Sequence, residues 1–451
     1  MFEVCANVQS ASLERKRLRG HVGVVPIFAA PMPNFRAVEL CRICGNSELV
    51  PILDLGEQSL TGVFPRTPDE PVTRGPLELV KCSGGENVCG LVQLRHSYSP
   101  AEMYGESYGY RSSLNRSMVM HLAETASNVR ALASPSPGDV IIDIGSNDGT
   151  TLSFFPADLV RVGVDPLASK FAQSYDADVL RIPDFFSAAI VDTVLGGRKA
   201  KIITSLAMFY DLENPQNFVN EVAGALAHDG LWYFEQSYMP LMLAMTSYDT
   251  ICHEHLEYYA LRQIEWLLLR AGLRVLDVNI NDVNGGSFAI TAAKVGSLHP
   301  VNRHGIDTIR SAERDAHLFS LSPFERFHDD VVAHRRALRD LVERINRAGE
   351  TVLGYGASTK GNVLLQFCNF TTAQIPFIAE VNADKFGRVT PGTSIPIIPE
   401  TEARAMKPDF FLALPWHFRN NLIEREREFL ESGGRMIFPL PAIEIVDRES
   451  R

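Results

Sequence analysis

The stretch Asp143-Ile144-Gly145-Ser146-Asn147-Asp148-Gly149-Thr150 constrains the fold of this chain more than any other. The apolar run Val140-Ile141-Ile142 leads into it and helix-compatible residues follow. That pattern is a buried parallel strand turning sharply into a helix. Gly145 and Gly149 let the backbone turn and come close to a ligand. Asp143, at the strand end, can accept hydrogen bonds from a ligand amine. A second strand, Arg161 to Val164, ends at Asp165. This is roughly the 20-residue spacing between a glycine-rich turn and the acid that holds a ribose. Many strand–helix turns carry two glycines for geometry alone, and it is the spacing to Asp165 that adds a ligand to the reading.

The alternation continues down the chain. Strand patterns fall at 140–144, 161–165, 201–205, 230–236 and 287–294, with helical patterns at 149–155, 167–174, 186–195, 215–228 and 261–271. An α/β, doubly wound sheet follows, with ligand sites at the carboxyl ends of its strands. Asp184-Phe185 comes after a third short strand, where Phe185 is either a core residue or part of the ligand site. Strand 201–205 runs into a loop carrying Met208, Tyr210 and Asp211.

At 451 residues the chain should hold two or three domains. The reading is a poorly ordered leader over 1–38, a small metal-binding module and linker over 39–117, the sheet domain over 118–300, and a third domain over 301–451. A net charge of −11 argues against nucleic acid as a partner. The basic cluster between Glu14 and Arg19 reads as a solvated patch. No apolar run reaches the ~18 residues of a membrane span. The N-terminus lacks the ordered charge, apolar core and cleavage site of a signal peptide. The expectation is a cytoplasmic protein, monomeric or a small homo-oligomer, with no membrane partner.

Seven cysteines are too few to staple a chain this long, but four are spaced like metal ligands. Cys41-x2-Cys44 opens a segment that Cys82-x6-Cys89 closes, and zinc takes four thiolates in a tetrahedron. Four buried free cysteines are the alternative. The insert holds two strand-like runs, Leu53 to Gly56 and Leu77 to Val80. A segment without a large core gains stability from such a metal. No position for a bound water is evident, so the expected zinc is structural. The x6 spacing departs from the commonest pattern, at Cys89.

Three further stretches carry chemistry. Tyr104 and Tyr108 belong to a Tyr/Ser-rich segment, 97–117, that precedes an amphipathic helix at about 115–132. Clustered tyrosines are usually half-buried packing with a wet tip. The second stretch is Cys252-His253-Glu254-His255-Leu256-Glu257. It is neither H-E-x-x-H, since Glu257 stands at the second His position, nor H-x-x-E-H, since Ile251 stands where a His would be. Histidine suits proton transfer near neutral pH and a carboxylate can fix its tautomer; a polar structural cluster is the other reading. The third is Gly354-Tyr355-Gly356-Ala357-Ser358-Thr359-Lys360-Gly361-Asn362, after a long helical pattern at 322–348. It repeats strand, glycine turn and helix, with a second strand from Ile375 to Ala379 ending at Glu380. It is not a Walker A loop, but a helix start still favours a phosphate and Lys360 adds charge. A fold kept only for packing is the alternative there.

Together these motifs resemble the zinc-containing S-adenosylmethionine-dependent C-methyltransferases that act on nucleotide-linked deoxysugars, over about residues 38 to 446. The resemblance implies a zinc module on Cys41, Cys44, Cys82 and Cys89, a class I methyltransferase domain, and a C-terminal Rossmann-like domain for a nucleotide-diphosphate sugar. The cofactors it implies are S-adenosyl-L-methionine and a structural Zn2+. Asp143 would meet the methionine end of the donor and Asp165 its ribose, with Gly145, Asn147 and Gly149 in the turn and Asp184 and Phe185 near the adenine. The last His of the family's Asp-x-Ile-Tyr-His-Glu-His maps to His255 as the base, with Glu254 orienting or polarising it and His253 beside them. The substrate side would take in Tyr104, Tyr108, Tyr210 and the Asn284-Gly285-Gly286 loop. Gly356, Lys360, Asn362 and Glu380 would hold the nucleotide. Two positions depart from the family: Met208 stands where His is common, and Cys252 where it has Tyr. The implied reaction removes a proton beside a ketone to give an enolate, which takes the methyl group on carbon. An O-methyltransferase on related sugar nucleotides is the nearest rival. A nucleotide-sugar epimerase or oxidoreductase is disfavoured by the lack of a clean G-x-G-x-x-G at residue 145. A zinc-knuckle binding module is disfavoured by the intact Asp143/Asp165 pair and the His-Glu-His.

Overall fold

The computed structural model describes residues 34–85, 87–104 and 110–450; Tyr108 lies outside them. The first strands build a small all-β unit around the cysteines. β1 (Phe35–Ala37) pairs antiparallel with β5 (His96–Tyr98), while β2 (Leu49–Ser59), β3 (Arg74–Cys82) and β4 (Val92–Leu94) form an antiparallel meander. The leader expected to run to residue 38 is therefore corrected at its end: Phe35 is held in a strand, its ring against those of Tyr98 and His96.

The central sheet explains the periodicity of the middle of the chain. Its strands are β6 (Val140–Ile144), β7 (Val160–Val164), β8 (Leu180–Ile182), β9 (Ala200–Leu206), β10 (Leu226–Ser237), β12 (Leu273–Asn281) and β13 (Ser287–Lys294). Their order is β12-β13-β10-β9-β6-β7-β8, parallel from β8 to β10, with β13 inserted antiparallel between β10 and β12. β6 is buried along its whole length, as a central parallel strand must be. Helices Arg116–Ala133, Ala188–Leu195, Pro215–Ala225 and Leu261–Arg270 flank the sheet. Two helical expectations shrink: 149–155 becomes the single turn Thr150–Ser153, and 167–174 becomes turns ending in a 3-10 turn at Ala172–Ser174. Pro156 follows the first of these segments and disfavours a longer helix before it.

β11 (Glu257–Tyr258) leaves the central domain and joins the small unit, pairing with β4 to make the sheet β11-β4-β3-β2. The long helix Ser322–Arg347 leads to the last sheet: β14 (Val352–Tyr355), β15 (Ile378–Glu380), β16 (Ile397–Pro399), β17 (Phe410–Ala413), β18 (Arg435–Phe438) and β19 (Glu444–Val446). The order is β16-β15-β14-β17-β18-β19, all parallel except β19. Both α/β sheets thus reverse strand order beside their first strand, between β6 and β9 and between β14 and β17, where such sheets open a crevice for a ligand. One apolar core runs through all three units, from Leu77 and Leu79 through Trp232 and Phe234 to Leu353 and Phe411. No helix among the described residues is long and apolar enough to cross a membrane.

Candidate functional site

At the β6/β9 switch point lies a cavity of about 230 Å³. Asp143, Gly145, Asn147, Asp165, Asp184 and Phe185 all line it, as do Tyr104 and Asn284. Asp143 is 2% exposed and accepts a 2.6 Å hydrogen bond from the Thr204 hydroxyl. Burial outweighs that bond and raises the carboxyl to about 7. Asp165 accepts from the backbone N–H groups of Asn147 (2.8 Å) and Leu167 (2.7 Å), so the acid of the second strand holds the glycine turn of the first. Asn147 has a positive φ of 51°, its side chain bonding Ser112 N–H and the Tyr110 carbonyl, which draws that segment over the turn. Gly149 is a correction. It does not line the cavity; a Cβ there would lie 2.6 Å from the Tyr175 ring, whose hydroxyl donates to the Asn147 carbonyl. Packing, not approach of a ligand, requires that glycine.

A further group on this cavity lies outside the residues assigned to the site from the sequence. Glu235, at the end of β10, accepts from His121 Nε2 and from Asn281 Nδ2, each at 2.7 Å. The hydrogen bond to Glu235 raises the His121 imidazole above its ordinary value.

The His-Glu-His segment divides its three side chains. His255 is part-buried, its ring 4.2 Å from that of Tyr210, and its Nδ1 is 2.8 Å from the Thr250 carbonyl. A carbonyl only accepts, so Nδ1 carries the proton and Nε2 is left as the basic nitrogen. Burial, then the Lys360 charge, push the imidazolium down to about 3, which keeps the ring neutral at physiological pH. The orienting partner is thus the Thr250 carbonyl. Glu254 is corrected in that role: its carboxyl turns to the small unit, facing the Thr61 hydroxyl at 3.3 Å and packed so closely on Gly62 that a Cβ there would lie 2.2 Å from Oε1. His253 is corrected as a catalytic candidate. It is fully buried, edge-on to Tyr98 at 4.6 Å and facing the carbonyls of Gly75 and Gln58, where burial pushes it down to about 3. The turn closed by His255 N–H on the Cys252 carbonyl separates the two histidines. Cys252 is fully buried, and Met208 packs over Gly145, 3.0 Å from where a Cβ would stand.

The C-terminal turn repeats the device of the first. Glu380, at the end of β15, accepts from Ala357 N–H (2.8 Å) and from the N–H groups of Val381 and Asn382, as Asp165 does in the other sheet. Gly356 has a positive φ of 82°, and a Cβ there would lie 2.7 Å from the Pro415 ring. Lys385, which carries no sequence signal, donates to the Ala357 carbonyl at 2.7 Å. Lys360 instead donates to the Asn284 carbonyl at 2.6 Å, on the edge of the first cavity. Asn362 is fully buried, and its amide donates to the Thr61 carbonyl, fastening this helix to the small unit.

The sulfurs of Cys41, Cys44, Cys82 and Cys89 lie within 4.8 Å of one another, with Cys41–Cys89 at 3.3 Å and Cys44–Cys82 at 3.6 Å. Tetrahedral zinc with bonds of about 2.3 Å sets sulfurs ~3.8 Å apart, so the four thiols fit one ion and leave it no open position. Arg42, inside the first knuckle, lies with its Nε 3.5 Å from the buried Glu257 carboxylate and donates from Nη1 to the Leu94 carbonyl at 2.6 Å.

Three family descriptions match successive parts of the chain: a zinc binding domain over 41–104, a methyltransferase domain over 118–278, and a C-methyltransferase C-terminal domain over 282–441. The C-methyltransferase NovU of Streptomyces niveus is 32% identical over 419 residues, covering 92% of this chain and 98% of that protein. Among solved structures, the plantazolicin methyltransferase BpumL is 13% identical with a TM-score of 0.31, covering 39% of this chain and 84% of that one. The magnesium protoporphyrin IX methyltransferase of Synechocystis PCC 6803 is 13% identical with a TM-score of 0.32, covering 40% and 88%. Likenesses that low carry no weight here. Sheet order, the Asp143/Asp165 cavity and the matched domains define an S-adenosylmethionine-dependent methyltransferase with a zinc-binding module. The chain belongs to the zinc-containing C-methyltransferase family that includes NovU.

Proposed function

We propose that the acceptor is a nucleotide-linked keto-sugar and that His255 generates its enolate for methylation on carbon. The observation that carries this reading is the tautomer of His255: Nδ1–H is spent on the Thr250 carbonyl, so Nε2 is a free base in a ring kept neutral. S-adenosylmethionine supplies the methyl group on a sulfonium. Asp143 pairs with its ammonium end and Asp165 with its ribose hydroxyls, using the lone pairs that the Asn147 and Leu167 N–H groups leave over. His255 Nε2 takes the proton from the carbon beside the ketone. Glu380 and the Gly356 turn hold the nucleotide ribose and diphosphate, by the same geometry that Asp165 and Gly145 give the donor, with Lys385 as a nearby cation. Tyr210 helps to fix the base by packing its tilted ring against it, centroids 4.2 Å apart.

The test is His255→Ala. The variant keeps its fold and donor affinity and loses methyl transfer by the ~10²–10⁴-fold of general-base catalysis. Full activity in that variant overturns the assignment. A methyl group found on the acceptor's oxygen would favour the O-methyltransferase reading instead.

A further inference from the structure

Lys360 is where the structure departs most from its sequence motif. It belongs to the first turn of helix Thr359–Phe367, where a lysine is expected to face a phosphate. Its ammonium instead reaches out of the C-terminal domain to the Asn284 carbonyl, 2.6 Å away. Asn284 and its neighbour Val283 line the donor cavity. Asn284 has a positive φ of 54°, the conformation in which the loop presents this carbonyl. Lys360 is therefore at the edge of the methyl donor's site.

The helix that carries this ammonium packs on the turn that orients the base. The ammonium charge acts on His255 and on Asp249. Asp249 is 1% exposed, with Oδ2 accepting from Trp416 Nε1 at 2.7 Å, and it precedes Thr250, whose carbonyl orients His255. One turn, Tyr248–Thr250, thus carries both the buried acid Asp249 and the acceptor that fixes the base. Helix Thr359–Phe367 packs on that turn. No carboxylate among the described residues comes within ion-pair distance of the ammonium. It has three N–H donors, and the Asn284 carbonyl takes one. A half-buried cation with donors to spare, at the edge of a donor cavity and on a helix packed against the turn that orients the base, is arranged to meet an anion that forms there.

We propose that Lys360 is a catalytic residue that binds the acceptor's carbonyl oxygen and stabilises the enolate, rather than a ligand of the nucleotide phosphates. The proposal rests on the keto-acceptor reading above. In the step it serves, His255 Nε2 removes a proton from the carbon next to the ketone. The C–H pair becomes the C=C bond and the carbonyl π pair moves onto oxygen. The Lys360 ammonium holds that oxygen by a hydrogen bond and keeps its proton. The enolate carbon then bonds to the methyl carbon while the carbonyl re-forms, and the methyl–sulfur pair stays on sulfur. Lys360 gains most where the oxygen is fully anionic, so its contribution falls on the rate more than on acceptor binding.

The test uses Lys360→Met, close in size and neutral, and Lys360→Arg, which keeps the charge and a donor for Asn284. Calorimetry with S-adenosylmethionine checks that each variant keeps the donor site. Exchange of the acidic C–H for deuterium in heavy water, without donor, is then followed on a panel of nucleoside-diphosphate 4-keto-6-deoxyhexoses. The expected result is a loss of about 10²–10³-fold in exchange and kcat for Lys360→Met, the cost of removing one such donor, with acceptor KM little changed. Lys360→Arg recovers part of the loss. Exchange at the wild-type rate in Lys360→Met, or a raised KM with kcat unchanged, overturns the proposal and returns Lys360 to the phosphates while the keto-acceptor reading stands. Absence of exchange by wild type on every member of the panel overturns that reading, and this proposal with it.

Discussion

Asp143 shows how a single buried carboxyl sets a condition on the whole enzyme. Burial raises it to about 7 despite the bond from Thr204, so at neutral pH the donor-free protein holds it as a mixture of acid and carboxylate. A donor bringing a cation to this position favours the carboxylate and lowers its pKa. Donor affinity is therefore fully present above pH 7. As pH falls through 7 it is lost, by at most about tenfold per unit for one proton. Calorimetry between pH 8 and 5.5 should show that decline, and Asp143→Asn should bind weakly with no pH dependence over the same range. An unchanged decline in the variant would assign the proton to another group. His255 behaves oppositely by design. Its imidazolium is pushed down to about 3, so it stays neutral across that range and contributes no acid limb of its own.

β11 is only two residues long, yet it ties the His253–His255 segment to the sheet of the cysteine unit. Glu257 and Tyr258 pair with Gln93 and Val92 of β4, and Arg42, in the first cysteine knuckle, reaches Glu257. Glu257 follows His255 by one intervening residue, so the zinc sheet anchors the short strand that follows the turn bearing His255. Removing the zinc with a chelator should abolish methyl transfer and broaden thermal unfolding, although no metal ligand touches the donor cavity; a zinc-free protein of full activity would contradict this linkage. The elements themselves were unequally legible in the sequence. β6, the cysteine pairs and the helix Ser322–Arg347 declare themselves by local periodicity and spacing. β11 cannot, because its partner lies in a distant stretch of chain and two residues have no period. β12, Leu273–Asn281, also escapes, because the helical pattern of 261–271 runs directly into it. His253 and His255 look interchangeable in sequence, and only the turn at Cys252 decides which is buried. The partner that orients His255 is a backbone carbonyl, which no side-chain motif records.

At the scale of the molecule, three units share one core, and in the proposed reaction each contributes to one centre. The small unit holds Glu254 and β11, the central sheet holds the donor cavity, and the C-terminal domain sends Lys360 to the cavity's edge. The two α/β sheets carry matching devices, a strand-end acid bound to the N–H of the neighbouring glycine turn, at Asp165 and at Glu380. If one serves the donor and the other the acceptor's nucleotide, Glu380→Gln should raise acceptor KM and leave donor affinity alone, with the reverse for Asp165→Asn; calorimetry and steady-state kinetics on the pair separate the two sites. In the proposed mechanism His255 makes a carbon nucleophile before any methyl group moves. Wild-type protein incubated in heavy water with a nucleotide-linked keto-sugar and no donor should exchange the C–H beside the ketone for deuterium. His255→Ala, with donor affinity intact, should not. Active wild type that exchanges nothing, or exchange that survives unchanged in His255→Ala, would contradict it.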